Sequence, residues 1–115
     1  MASGWILLDK PSGVNSRAAG NVLRRMFGAK TFGHLGTLDP MASGLLPIAL
    51  DEATKMIPYI EIRDSRLENR KEYLFSVQWG IETDTGDVTG TAINQNDIIP
   101  TDEQIIEACK AFIGE

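Results

Sequence analysis

The apolar residues of the chain fall into short runs separated by stretches rich in glycine, proline and charge. Trp5-Ile6-Leu7-Leu8-Asp9 lies between Gly4 and Lys10-Pro11-Ser12-Gly13, and reads as a buried strand entering a turn. Val22, Leu23, Met26 and Phe27 follow Ala19 at helical spacing, so all five share one face of a helix. Ser16 can cap that helix and Gly28 can stop it, while Gly20 weakens it by up to about 1 kcal/mol relative to alanine. Leu45-Leu46-Pro47-Ile48-Ala49-Leu50 is a second apolar run, and its proline suggests an edge or irregular strand. Asp51-Glu52-Ala53-Thr54-Lys55 begins a short helix with acids in its first turn, which Pro58 limits or kinks. Residues 61–71 are highly charged and read as an exposed connection.

The plainest strand pattern comes next. Tyr73, Phe75, Val77 and Trp79 alternate with Leu74, Ser76 and Gln78, the period of a half-buried strand. Gly80 ends it, residues 83–90 form a polar turn, and Thr91-Ala92-Ile93 is a candidate returning strand. Thr101 and Gln104 stand in capping-box spacing before a helix whose apolar face is Ile105, Ala108, Cys109 and Phe112. Strands and helices interleave without a strict strand-helix-strand beat. This predicts an α+β fold with a mixed, largely antiparallel sheet and flanking helices.

Composition adds bounds. At 115 residues the chain is at most one domain, with the apolar and charged fractions of an ordinary globular protein. One cysteine excludes an internal disulfide and a thiolate metal cluster, and Cys109 is expected to pack in the core. No stretch approaches the roughly 20 apolar residues of a membrane span, and Met1-Ala2-Ser3-Gly4 lacks the basic start of a signal peptide. The expected compartment is therefore the cytoplasm. The net charge of −5 argues against nucleic acid, but its distribution does not: residues 1–71 carry +3 and residues 72–115 carry −8. A local basic surface on the front segment is compatible with RNA or with plain solvation.

The candidate chemistry lies in residues 33–47, a glycine- and proline-rich stretch holding the one histidine, His34, and the carboxylate of Asp39. Such a loop between structured segments can carry function, yet Asp39 before Pro40 can equally serve a structural turn. There is no phosphate-binding glycine loop, no dinucleotide fingerprint and no serine in a nucleophile-elbow context. One His and one Cys do not make a usual metal site. What remains is an aspartate, a histidine and a strand tyrosine, a set able to perform nucleophilic attack and proton transfer without cofactor or metal.

These residues carry a resemblance. Residues 33–47, Gly-His-Leu-Gly-Thr-Leu-Asp-Pro-Met-Ala-Ser-Gly-Leu-Leu-Pro, resemble the signature loop of the TruB family of tRNA pseudouridine synthases. Leu8-Asp9-Lys10-Pro11-Ser12-Gly13, Glu52-Ala53-Thr54-Lys55, Lys71-Glu72-Tyr73, and Gly80 with residues 83–87 and Gly90 resemble further motifs of that family, in the family's order. The resemblance implies conversion of a uridine in the T-loop of tRNA to pseudouridine, without a cofactor, by an enzyme that is monomeric at full length. It implies Asp39 as nucleophile, Tyr73 as the residue that packs on the target base and a candidate for proton removal, and His34 as a holder of the RNA loop. Lys10 and Lys71 match motif positions where support of the loop or phosphate contact is implied. Residues 61–70 are longer and more charged than the family's usual link, and Asp51 stands where glycine is usual. The family's catalytic domain is longer, and it draws a basic partner for the aspartate and an apolar residue from later strands. Residues 1–115 are thus expected to be the N-terminal part of that domain, followed in the family by a small RNA-binding domain. The alternatives are a non-catalytic RNA-binding or tRNA-folding module, and an inert truncation with an exposed sheet edge.

Overall fold

A computed structural model describes residues 3–64 and 72–114. They belong to two compact units, Met1–Glu72 and Tyr73–Glu115. In chain order the first contains β1 (Gly4–Lys10), α1 (Ser16–Met26), β2 (Phe32–His34), β3 (Gly44–Leu50), a 3-10 helix (Asp51–Met56) and α2 (Ile57–Asp64). The second contains β4 (Ile81–Thr83), β5 (Ala92–Gln95) and α3 (Asp102–Lys110). Every described strand pairing is antiparallel, and the fold class is α+β as expected.

The first unit is a three-stranded sheet in the order β1-β3-β2. Its core is Ala29, Leu46, Ile48 and Leu50, with Ile6, Leu8, Leu23, Phe32 and Leu38 packed against it. β1 is half buried, not buried throughout: Ile6, Leu8 and Lys10 turn inward while Leu7 is 69% exposed. Two strand faces cannot both be covered by the one layer that packs on them.

β3 is the central strand, where Pro47 had suggested an edge. The register explains the tolerance. Pro47 lies opposite Leu7 of β1, and its carbonyl accepts the Leu35 N–H at 3.0 Å on the other side, just past the end of β2. The N–H and C=O of one strand residue point the same way, so the missing donor faces the end of β2 and costs the β1–β3 ladder nothing.

α1 buries Ser16, Ala19 and Gly20 and packs Leu23 inward, but leaves Val22, Met26 and Phe27 exposed. The expected apolar face is therefore only half used. Gly20 is the reason the helix sits so close: a Cβ there would lie 2.4 Å from the Phe32 ring. Gly28, with φ +66°, ends the helix as the sequence suggests. Pro58 falls in the first turn of α2, where its missing donor is not needed.

In the second unit the alternating segment Tyr73–Trp79 is not a strand. Residues 72–78 have no regular structure and are exposed, and β5 pairs with β4 instead. Alternation makes a segment competent for a sheet, but a strand forms only where a partner supplies the ladder. α3 has the expected capping box: Thr101 Oγ accepts the Gln104 N–H at 3.3 Å, and Gln104 Oε1 accepts the Thr101 N–H at 3.0 Å. Its apolar residues are not buried, and Cys109 is exposed rather than in a core. Among the described residues no helix is long and apolar enough to cross a membrane.

Candidate active site

The glycine- and proline-rich segment is less of a loop than its composition suggests. Gly33 and His34 belong to β2, and Gly44–Pro47 to β3, so only residues 35–43 bridge the two strands. The bridge is tied down from the N-terminal turn between β1 and α1. The Lys10 ammonium donates to the carbonyl oxygens of Pro11 at 2.9 Å, Val14 at 2.5 Å and Pro40 at 3.3 Å. The Gly13 N–H donates to the same Pro40 carbonyl at 2.6 Å. Ser12 Oγ donates to the Met41 carbonyl at 2.6 Å. Ser16 Oγ donates to the Leu38 carbonyl at 2.9 Å and accepts the Leu38 N–H at 3.0 Å.

Asp39 sits in the middle of these contacts with its side chain exposed. Its own carbonyl accepts the Ala42 N–H at 2.9 Å, which closes a turn across the loop. The backbone is therefore fixed at residues 38, 40, 41 and 42 while the carboxylate remains free to meet a ligand. A nucleophile needs this combination, because reaction depends on a held position as much as on reactivity. Among the described residues no Lys or Arg forms an ion pair with Asp39.

His34 lies on β2 opposite Ile48, half buried, and leads into the loop. Its Nδ1 is buried with no hydrogen-bond partner among the described residues. Lys10 is fully buried, and with three carbonyl oxygens around its ammonium it supports the loop rather than reaching a substrate. Tyr73 is exposed at the start of the second unit, and Lys71 lies outside the described residues. Asp39, His34 and Lys10 are thus carried by one unit and Tyr73 by the other.

Two tethers, Ser12 and Ser16, escaped sequence reasoning. Ser16 reads as a helix cap, but Asn15 performs that task by accepting the Ala18 N–H at 2.7 Å. The signal was present in Asn15-Ser16: one capping side chain suffices, which leaves the second polar residue without a local partner.

Behind the loop, Asp51 fastens β3 to the segment before β2. Its Oδ1 accepts the N–H groups of Lys30 at 2.8 Å and Thr31 at 2.9 Å. Thr31's backbone N–H is the main reason its carboxyl is held below the usual range; burial opposes this, and the Lys30 N–H adds to it. In the second unit Asp87 shapes the polar turn. Its Oδ1 accepts from the Thr89 hydroxyl at 2.5 Å, the Thr89 N–H at 2.8 Å and the Thr85 hydroxyl at 2.8 Å, which also lowers its carboxyl pKa. The turn reading holds for residues 84–90, while Thr83 ends β4.

Comparison with known proteins bears on the same residues. The family described as TruB family pseudouridylate synthase (N terminal domain) matches residues 24–115. A protein of Wolbachia pipientis subsp. Culex pipiens named tRNA pseudouridine synthase B is 50% identical over 115 residues, covering 100% of this chain and 31% of the relative. Proteins of the same name from Ehrlichia chaffeensis and Bradyrhizobium diazoefficiens are 47% and 48% identical over 111 residues, each covering 96% of this chain and 36% and 30% of the relatives. A solved chain from a structure of an H/ACA RNP bound to a substrate RNA containing 2'-deoxyuridine is 41% identical, with a TM-score of 0.47, covering 49% of this chain and 18% of its own. The chain spans about a third of the length of the curated relatives it matches. With the family match running from α1 through the Asp39 loop to α3, the chain belongs to the TruB family of pseudouridylate synthases, in the region of the family's N-terminal domain.

Proposed function

We propose that the protein carrying this chain isomerises a uridine in the T-loop of tRNA to pseudouridine, with Asp39 as its nucleophile, and that residues 1–115 are the N-terminal part of its catalytic domain. One observation supports the assignment of Asp39 above all: an exposed carboxylate on a loop whose backbone is held on both sides. The reaction balances without a cofactor. The bond from the ribose to N1 of the base breaks and a bond from the ribose to C5 forms. The hydrogen on C5 leaves for solvent and N1 takes up a proton. A base inside a folded loop must first be turned out, at a cost of a few kcal/mol that stacking on an aromatic side chain offsets. Tyr73 is the proposed stacking residue and candidate proton acceptor. His34 is proposed to hold the RNA loop open, and Lys71 to touch phosphate. The +3 balance of residues 1–71 suits such a polyanion. The protein is proposed to work in the cytoplasm as a monomer.

The test is release of tritium from a T-arm hairpin labelled at uridine C5. The product of the complete reading frame should release label, and Asp39→Asn should not. Normal release by Asp39→Asn overturns the nucleophile assignment. For the 115-residue chain taken alone, the alternative is a non-catalytic RNA-binding or tRNA-folding module, which the +3 balance of residues 1–71 also suits.

A further inference from the structure

We propose that Ser16 is a positioning residue for Asp39, an inference that rests on the reading of Asp39 as nucleophile. Ser16 is 3% exposed, and its hydroxyl meets Leu38 twice, donating to the carbonyl at 2.9 Å and accepting from the N–H at 3.0 Å. A hydroxyl can do both at one atom, which alanine cannot. The Leu38 side chain packs against the core of the first unit. All three handles of the residue before Asp39 are therefore held: N–H, C=O and side chain. The hydroxyl is free for this task because Asn15 caps α1. Ser16 is also the first residue of α1, so it ties the loop to a rigid element rather than to another loop. Removing its hydroxyl takes the partner from the part-buried Leu38 N–H and C=O, and the peptide leading to Asp39 gains freedom. A misplacement of about 1 Å at a reacting group can cost on the order of a hundredfold in rate.

The experiment uses the product of the complete reading frame and the C5-tritiated T-arm hairpin. Ser16→Ala is expected to lower kcat about ten- to a hundredfold with KM within about threefold of the unaltered protein. Ser16→Thr, which keeps the hydroxyl, is expected to recover most of the rate. Asn15→Ala loses a hydrogen bond at the same helix end without touching the loop, and should keep its kcat. A kcat for Ser16→Ala within about twofold of normal overturns the proposal, as does an equal fall in Asn15→Ala, which would mark a general loosening of the helix start. Should Ser16→Ala not fold, amide exchange in the unaltered protein decides. The Leu38 N–H should be protected, and exchange as fast as that of the exposed Thr37 overturns the tether. If the unaltered protein releases no label, or Asp39→Asn releases it normally, the proposed function fails instead.

Discussion

Asp51 takes a backbone conformation that favours glycine, with φ +48°, and it does so at a buried position. Aspartate is one of the few residues with a side chain that tolerate this region. Its gain is the pair of N–H groups of Lys30 and Thr31, which it draws onto one oxygen. Asp51 thus trades an unfavourable backbone conformation for hydrogen bonds. The carboxyl pKa is lowered in the folded protein. Stability from Asp51 is therefore present in full above the unfolded carboxylate value of about 3.9, and is lost as pH falls through the lower folded value. Asp51→Asn keeps an acceptor and tolerates the same backbone, but does not titrate. We expect the thermal midpoint of the unaltered protein to fall more steeply than that of Asp51→Asn on acidification below about pH 4. Parallel curves would remove Asp51 from the acid response. Lys10 illustrates the same scale differently. In the sequence it is a cation in a turn; in the fold its charge is spent on three carbonyls beneath the loop.

At the scale of elements, the contact between α1 and β2 decides more than helix propensity does. Alanine at position 20 would favour the helix by up to about 1 kcal/mol. Its Cβ would also lie 2.4 Å from the Phe32 ring, and forcing such an overpacked contact costs about 1–3 kcal/mol. Gly20→Ala should therefore lower stability in denaturant unfolding, and adding Phe32→Leu should restore part of the loss. A more stable Gly20→Ala would mean that the helix stands off further from the sheet. Sequence reading located α1, β1, β3, β5 and α3 from periodicity and capping, because those signals are local. It misjudged Pro47 as an edge signal, since which side of a strand lacks a partner depends on register. It also took Tyr73–Trp79 for a strand, because alternation says nothing of whether a neighbour is there to pair with it.

The molecule as a whole divides its candidate chemistry between two units, with Asp39 and His34 in Met1–Glu72 and Tyr73 in Tyr73–Glu115. The second unit leaves Phe75, Val77, Ile93, Ile98, Ile99, Phe112 and other apolar side chains exposed, and buries none fully. It is therefore poor in the apolar burial that stabilises a fold. This predicts little or no tritium release by the 115-residue chain on its own. Robust turnover by that chain would show that the second unit is stable enough without further burial.

Local pattern alone determined where the helices start and stop, the capping box of α3, the α+β class and the stretch in which Asp39 and His34 lie. These follow from the spacing of apolar residues and from the backbone preferences of glycine, proline and short polar side chains. Tertiary structure decided which part of the α1 face is buried, that Asn15 rather than Ser16 caps α1, that β3 is central, and that Lys10, Ser12, Gly13 and Ser16 converge on residues 38–41. Those contacts join residues 22 to 30 positions apart, and only the sheet that brings β1 beside β3 makes them neighbours.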